Sequence, residues 1–250
     1  MTAKIRKIER VFEPLVNSHY DNLLVSGCSF TFNNSEKDAC SWPYYLRDLS
    51  NFNEVHDCSQ SGAGSNHIFN SIVYELETNK SLSPENTLVV VCWSGLERFD
   101  VIAQTEITKS WHFMSNYHFN DKFSTLTLAK TTASKEPLDN LSNAYSKLID
   151  WNAQIIQSAL HIIALREYLR SQNYNYVFAQ YHDLSNEINL LDSELRYKLL
   201  DCFDALEPIG VYAKEFESCG HPTPDSYLDW TRNCLLPYLM NKYPARFKKI

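Results

Sequence analysis

The chain has 250 residues, of which 44% are hydrophobic and 21% charged, and a formal charge of -7. This length and usage suit one substantial core and lie far from the low-hydrophobicity signature of disorder. Basic residues form no stripe beyond short clusters near the ends (Lys4, Arg6, Lys7 and Arg10; Arg246, Lys248 and Lys249), which argues against nucleic acid as the main partner. The opening MTAKIRKIERVFEPL has no apolar run of signal-peptide or membrane-spanning length, so a cytoplasmic protein without a membrane anchor is expected. The cysteines (Cys28, Cys40, Cys58, Cys92, Cys202, Cys219, Cys234) are odd in number and include no C-x-x-C pair. That pattern points to reduced packing residues and not to a disulfide framework or a zinc knuckle.

Along the chain, residues 22 to 26 (NLLVS) form an apolar run that stops at Gly27, the pattern of a buried strand ending in a turn. Ser41-Trp42-Pro43 opens a segment with Trp42, Tyr45, Leu46 and Leu49 on one helical face, and residues 53 to 58 suit a second short strand. After the glycine turn at Ser61 to Ser65, Ile68, Ile72, Val73 and Leu76 recur at helical spacing. TLVVVCW, residues 87 to 93, is the most continuously apolar β-branched run and the best candidate for a central strand. Residues 104 to 140 lose periodicity and read as an insertion or lid within a single domain spanning 1 to 250. A helix is predicted over about 143 to 170, a strand at NYVFAQY (175 to 181), helix again near 190 to 205, and a last helix from Pro224 towards Pro237. Strands alternating with helices imply a mainly parallel sheet covered on both faces.

In such sheets ligands bind beyond the carboxyl ends of the strands, and Ser29 stands there, two residues past the first strand. It is either a nucleophile presented by the Gly27 turn or a turn serine satisfying local backbone. In S-G-A-G-S-N, residues 61 to 66, Gly62 and Gly64 can offer N–H groups to an oxyanion and Asn66 a side-chain donor. The same residues also suit an ordinary helix cap. His221, between Gly220 and Pro222 in a rigid turn, is either a mounted base or a solvated loop histidine. The histidines include no H-E-x-x-H and no clustered carboxylates, so spacing indicates no metal site. Tyr181-His182-Asp183 either lines the pocket or, the favoured reading, forms a capping cluster at a strand exit, and a thiol-protease reading of Cys28 or Cys219 beside a histidine has no supporting local signature.

Taken together and in order, these blocks resemble the SGNH/GDSL hydrolases. G-C-S-F-T at 27 to 31 is similar to that family's first block, G-D-S-x-[ST], which carries the nucleophile. S-G-A-G-S-N-H-I is similar to the second block, whose glycine N–H helps form the oxyanion hole. H-P-T-P from His221 is similar to the last block, D-x-x-H-P, with the catalytic histidine. The resemblance covers the chain from Asn22 to Leu239 and implies a three-layer α/β/α sandwich with a mainly parallel, flavodoxin-like sheet. It also implies a serine esterase that needs no cofactor, acting on a small-molecule or glycan acyl ester such as an O-acetyl sugar.

Three departures bear on mechanism. Cys28 replaces the first block's aspartate, which is not the nucleophile. The third block, normally G-x-N-D, reads W-S-G-L-E-R at 93 to 98, so an asparagine donor is replaced by a variant block in which Ser94 or Arg98 faces the site. Ser218 stands where the family's triad acid precedes the histidine, leaving Glu217, Asp225 or no acid at all to orient His221. An acyltransferase on the same fold, or an inactive binding module that keeps the pocket, are the alternatives. Oligomeric state is left open.

Overall fold

The computed structural model describes residues 3–5, 12–32, 41–98, 100–104, 111–119, 122–128 and 150–250. Its central sheet has the order β1-β4-β3-β5-β9. These strands are β1 (Lys4–Ile5), β3 (Asn22–Gly27), β4 (Glu54–Asp57), β5 (Thr87–Trp93) and β9 (Asn175–Gln180). β3 pairs in parallel with β4 and β5, and β5 in parallel with β9, while the two-residue β1 pairs antiparallel with the edge of β4. The three apolar runs seen in the sequence are therefore parallel neighbours. β2 (Val16–Ser18) pairs separately and antiparallel with β10 (Phe247–Lys249).

The period of two along each strand explains the layers. Leu23, Val25, Leu88, Val90 and Cys92 face one side, against Trp42 and Leu46 of helix α1 (Trp42–Ser50) and Trp230 of α7 (Pro224–Trp230). Leu24, Val89, Val91 and Trp93 face the other, against Ile68 and Ile72 of α2 (Ser65–Thr78) and Ile155 and Ile162 of α3 (Trp151–Ser171). Each such fully buried aliphatic side chain contributes about 1.5–3 kcal/mol, so both faces of the sheet hold it in place. The result is a three-layer α/β/α sandwich. Three further short helices, α4 (Ser185–Ile188), α5 (Ser193–Leu200) and α6 (Ile209–Tyr212), follow β9.

Two segments depart from the sequence pattern. The stretch read as aperiodic, 104 to 140, contains β7 (Trp111–Phe119) and β8 (Lys122–Leu128), which form an antiparallel sheet with β6 (Asp100–Gln104) in the order β6-β7-β8. Residues 129–149, including the start expected for the long helix, lie outside the described residues. α3 begins at Asp150, whose carboxylate accepts from Asn152 N (2.9 Å) and Ala153 N (3.3 Å). The last helix does not stop at Pro237. Between α7 and α8 (Leu236–Lys242) the chain widens into a π-helical turn, Thr231–Leu235, closed by Leu236 N–H to the Thr231 carbonyl. Pro237 has no N–H and its ring would strike the carbonyl four residues back in a regular helix, and the wider turn accommodates it.

Gly27 ends β3 where a side chain has no room. A Cβ there would lie 2.8 Å from the Cys92 carbonyl oxygen and collide with the Thr31 hydroxyl, which accepts from Trp42 Nε1 at 3.3 Å. Backbone on one side and a buried hydrogen bond on the other leave little to give. Gly27→Ala is expected to destabilise the fold by about 1–3 kcal/mol, measured by urea denaturation; an unchanged midpoint would contradict this packing.

Candidate functional site

Ser29, half-buried, follows Gly27 at the carboxyl end of β3. The Cys28 carbonyl accepts from both Thr31 N and Phe32 N at 2.9 Å, so the chain turns tightly around Ser29. Those bonds start beyond Ser29 and leave its own N–H outside the turn's pairing, as for the first residues of any helical turn.

The second loop is tied to the first. Cys58 N donates to Val25 O (2.8 Å) and Gln60 N to Gly27 O (3.1 Å), extending the β4 side past the sheet and setting the loop beside Ser29. Asp57 braces it by accepting from Ser59 N at 2.9 Å and from the Ser59 hydroxyl. Ala63 N then closes onto Gln60 O at 3.0 Å, with Gly62 at φ 81 in the third position of the turn. A positive φ at this position is what glycine supplies, and the closing bond uses Ala63 N–H and not that of Gly62.

Gly64 and Asn66 are differently committed. The Asp100 carboxylate, at the start of β6, accepts from Gly64 N at 2.7 Å and His67 N at 2.8 Å, and also from the Asn66 backbone. It thereby supplies the cap that α2 lacks at its own N-cap residue, Gly64. The Asn66 side-chain oxygen accepts from Asn70 Nδ2 at 2.7 Å, within the same helix. The expectation that Gly64 N–H serves as a free oxyanion donor is thus corrected, because a carboxylate 36 residues further on holds it; at Asn66 the Asn70 bond occupies the side-chain oxygen and not the Nδ2 donor.

His221 sits on a hairpin. Glu217 N donates to His221 O at 2.7 Å, Gly220 N returns to Glu217 O at 2.9 Å with Gly220 at φ 81, and Phe216 bridges Pro222. The imidazole packs on Phe30, ring centroids 4.9 Å apart, and Phe30 is the neighbour of Ser29. Among the described residues its Nε2 is buried without a hydrogen-bond partner, while Nδ1 lies 3.2 Å from Cys219 Sγ. Burial pulls the imidazole pKa below its ordinary value; the Glu217 charge opposes that pull and the Arg98 charge adds to it. Glu217 is exposed and accepts from the Cys219 thiol at 3.4 Å, and Asp225 is exposed in the first turn of α7.

Aromatic rings and a buried cation complete the wall. Phe30 also meets Tyr181 (4.5 Å), and the Arg98 guanidinium lies 4.9 Å from the Tyr181 ring centre, with Nη2 donating to Tyr181 Oη at 3.3 Å. Arg98 is 1% exposed and Ser94, at the end of β5, 2%. Gly210 in α6 lets the chain approach, donating to Tyr181 O at 2.6 Å. Tyr181 therefore belongs to this wall, whereas Asp183 points away, accepting from Ser185 N at 2.9 Å just ahead of α4. Behind this wall burial raises the Glu97 carboxyl, with the Glu187 charge adding to it, and His182 Nε2 lies 3.1 Å from Glu187. Another serine–histidine contact, Ser65 Oγ to His161 Nδ1 at 3.1 Å, belongs to packing. Ser65 donates to Ser158 (3.0 Å) and Ser158 to the Leu96 carbonyl (2.7 Å), joining α2 and α3.

The fold thus brings Ser29, Gly62, His221 and Arg98 into one neighbourhood at the carboxyl ends of β3, β4 and β5. Sequence reasoning missed Asp100 and the contact between Cys219 and His221, and it favoured a capping role for Tyr181 over the pocket-lining one. Among the described residues there is no group of three or more His, Cys, Asp or Glu that could hold a metal ion, and no helix long and apolar enough to cross a membrane.

No family model matches the chain, and no curated protein matches it. Among solved structures, the chain is similar to a protein of Desulfitobacterium hafniense DCB-2 assigned to the lipolytic G-D-S-L family (13% identity over 85% of this chain and 96% of that one, TM-score 0.45). It is also similar to TesA (13% identity, 88% and 98% covered, TM-score 0.47) and to YxiM of Bacillus subtilis (10% identity, 91% and 58% covered, TM-score 0.46). At these identities the likeness is one of backbone fold, and no residue role is carried across.

The loop at α2 also makes a prediction about pH. Burial drives the His67 imidazole down to about 4 and lifts the Asp100 carboxyl to about 6, and the two meet through the His67 N–H. A depressed histidine contributes stability above its unfolded pKa that is lost as pH falls towards its folded pKa, here from about 6.5 to about 4. A raised carboxyl works the other way, gaining stability as pH falls through about 6. Each shift corresponds to roughly 3 kcal/mol, so the two nearly cancel in the native protein. His67→Gln removes only the first; between pH 7 and pH 4 the variant should gain up to about 3 kcal/mol relative to the wild type in urea denaturation. Parallel pH slopes for the two proteins would contradict the assignment.

Proposed function

We propose that this chain is an SGNH/GDSL-type serine hydrolase that cleaves acyl esters through an acyl-enzyme on Ser29. The observation that carries this reading is the His221 ring: its Nε2 is buried without a partner among the described residues, and the ring packs at a tilt against Phe30, the residue after Ser29. A buried nitrogen with no hydrogen bond is costly unless a substrate-bound state supplies the partner. The order of the sequence blocks adds independent support.

In the proposed reaction Ser29 Oγ attacks the ester carbonyl while His221 Nε2 takes the hydroxyl proton. The carbonyl oxygen gains negative charge and is held by the N–H groups of Ser29 and Gly62, both left outside their turns' pairing. His221 then returns the proton to the departing alcohol. Water repeats the sequence against the acyl group and frees Ser29. Arg98 and Ser94 line the same crevice, where an asparagine donor would stand in the family. The aromatic wall of Phe30 and Tyr181 suits a short acyl group on a small-molecule or glycan alcohol, and an acetyl ester is the substrate of choice for a first assay.

One observation favours a second reading, an inactive binding module. Neither Glu217 nor Asp225 is hydrogen-bonded directly to His221, so among the described residues no carboxylate holds the ring as a conventional triad acid would. Turnover separates the two readings. Ser29→Ala and His221→Ala should each remove nearly all p-nitrophenyl acetate hydrolysis, by about 10³-fold or more, with unchanged circular dichroism, and the double variant should be no worse than either. Replacing Glu217 should cost less, and replacing Asp225 least. Hydrolysis that persists in both single variants would overturn the proposal, and a wild type that binds esters without cleaving them would select the binding module.

A further inference from the structure

We infer that Cys219 is the positioning residue of the site, a thiol bridging Glu217 to His221 where a directly bonded carboxylate would otherwise stand. The inference rests on the hydrolase reading above and concerns how its base is held. Glu217, Cys219 and His221 alternate along one hairpin, whose backbone pairs Glu217 N with His221 O at 2.7 Å. The side chains follow the same order. Cys219 Sγ lies 3.4 Å from Glu217 Oε2 and 3.2 Å from His221 Nδ1.

Proton counting decides what this row does. A thiol has one hydrogen, and the carboxylate can only accept, so that hydrogen goes to Glu217. The sulfur then faces Nδ1 as an acceptor, and the neutral ring carries its proton on Nδ1. Nε2 is left with the lone pair, and Nε2 is the buried nitrogen without a partner among the described residues. The row Nδ1–H to Sγ–H to carboxylate therefore selects the tautomer that a base acting on Ser29 requires. When the ring becomes imidazolium, the carboxylate charge is felt through the polarised thiol and not by contact. Sulfur is a weaker donor and acceptor than oxygen, so the support is modest.

Cys219 is exposed, whereas Cys28, Cys92 and Cys202 are buried, so a thiol at this position is not explained by core packing. The same exposure raises a rival role, in which the Cys219 thiolate itself attacks the ester with His221 as its base. Serine separates the two. A hydroxyl can repeat the bridge but is a far poorer nucleophile than a thiolate.

The test compares Cys219→Ala, Cys219→Ser and Ser29→Ala in the full chain, reading kcat and KM on p-nitrophenyl acetate and, in parallel, the rate of inactivation by a fluorophosphonate. Removing the bridge should lower kcat and the inactivation rate about fivefold to tenfold, the worth of one ordinary hydrogen bond, with KM and the melting temperature unchanged. Cys219→Ser should restore both to near wild type, and Ser29→Ala should abolish both. Wild-type rates in Cys219→Ala would overturn the bridge while leaving the hydrolase reading intact. Loss of all turnover in Cys219→Ser, with Ser29→Ala still active, would overturn both and make the thiol the nucleophile.

Discussion

The parallel pairing of β3 with β5 is the constraint on which the site depends. Its register runs from Asn22 opposite Thr87 to Gly27 opposite Cys92, and every residue of both strands is buried. The two strands therefore end at the same level, and the chain leaves them from adjacent points, towards Ser29 on one and Ser94 on the other. β4 lies outside β3 and β9 outside β5, so the connections diverge here and open a crevice at the carboxyl edge. Gly27 makes this geometry possible, because the backbone of β5 approaches too closely for any side chain.

Around that crevice, the commitments of backbone N–H groups decide which can meet a ligand. Asp100 takes those at the start of α2, a buried carboxylate offsetting its own desolvation by serving as the helix cap. The turns at 28 to 32 and 60 to 63 close through other residues and, among the described residues, leave the N–H groups of Ser29 and Gly62 outside any backbone pairing. The pattern is consistent: donors needed for structure are satisfied from distant elements, and the unspent ones lie at the ends of β3 and β4. Arg98 is a buried cation held over the Tyr181 ring, and its charge lowers the pKa of the His221 imidazole.

Legibility in the sequence followed the range of each interaction. NLLVS, TLVVVCW and NYVFAQY were readable because strands covered on both faces are apolar throughout, and the helix at Ile68 to Leu76 because its stripe is local. WHFMSNYHF, residues 111 to 119, places Trp111, Phe113, Tyr117 and Phe119 on the period of two of a strand, a signal overlooked when 104 to 140 is taken as one aperiodic stretch. The turn at Pro237 misled because a π-helical widening leaves no local signature. The turns that carry Ser29, Gly62 and His221 were legible from the glycines in or beside them. The commitment of Gly64 N–H was not readable because its partner Asp100 comes from the far side of β5, and no window centred on the glycines contains it. The Glu217-Cys219-His221 spacing of two was visible, but a hairpin had to be known before it meant a shared side.

The central claim is that Ser29 is the nucleophile served by His221, and the direct measurement is peptide mapping of the protein after inactivation by a fluorophosphonate. The account predicts a single phosphonyl adduct on the peptide containing Ser29, formed in the wild type and absent when His221 is replaced by alanine. An adduct on Ser65, Ser94 or Cys219, or labelling of Ser29 that is indifferent to His221, would contradict it.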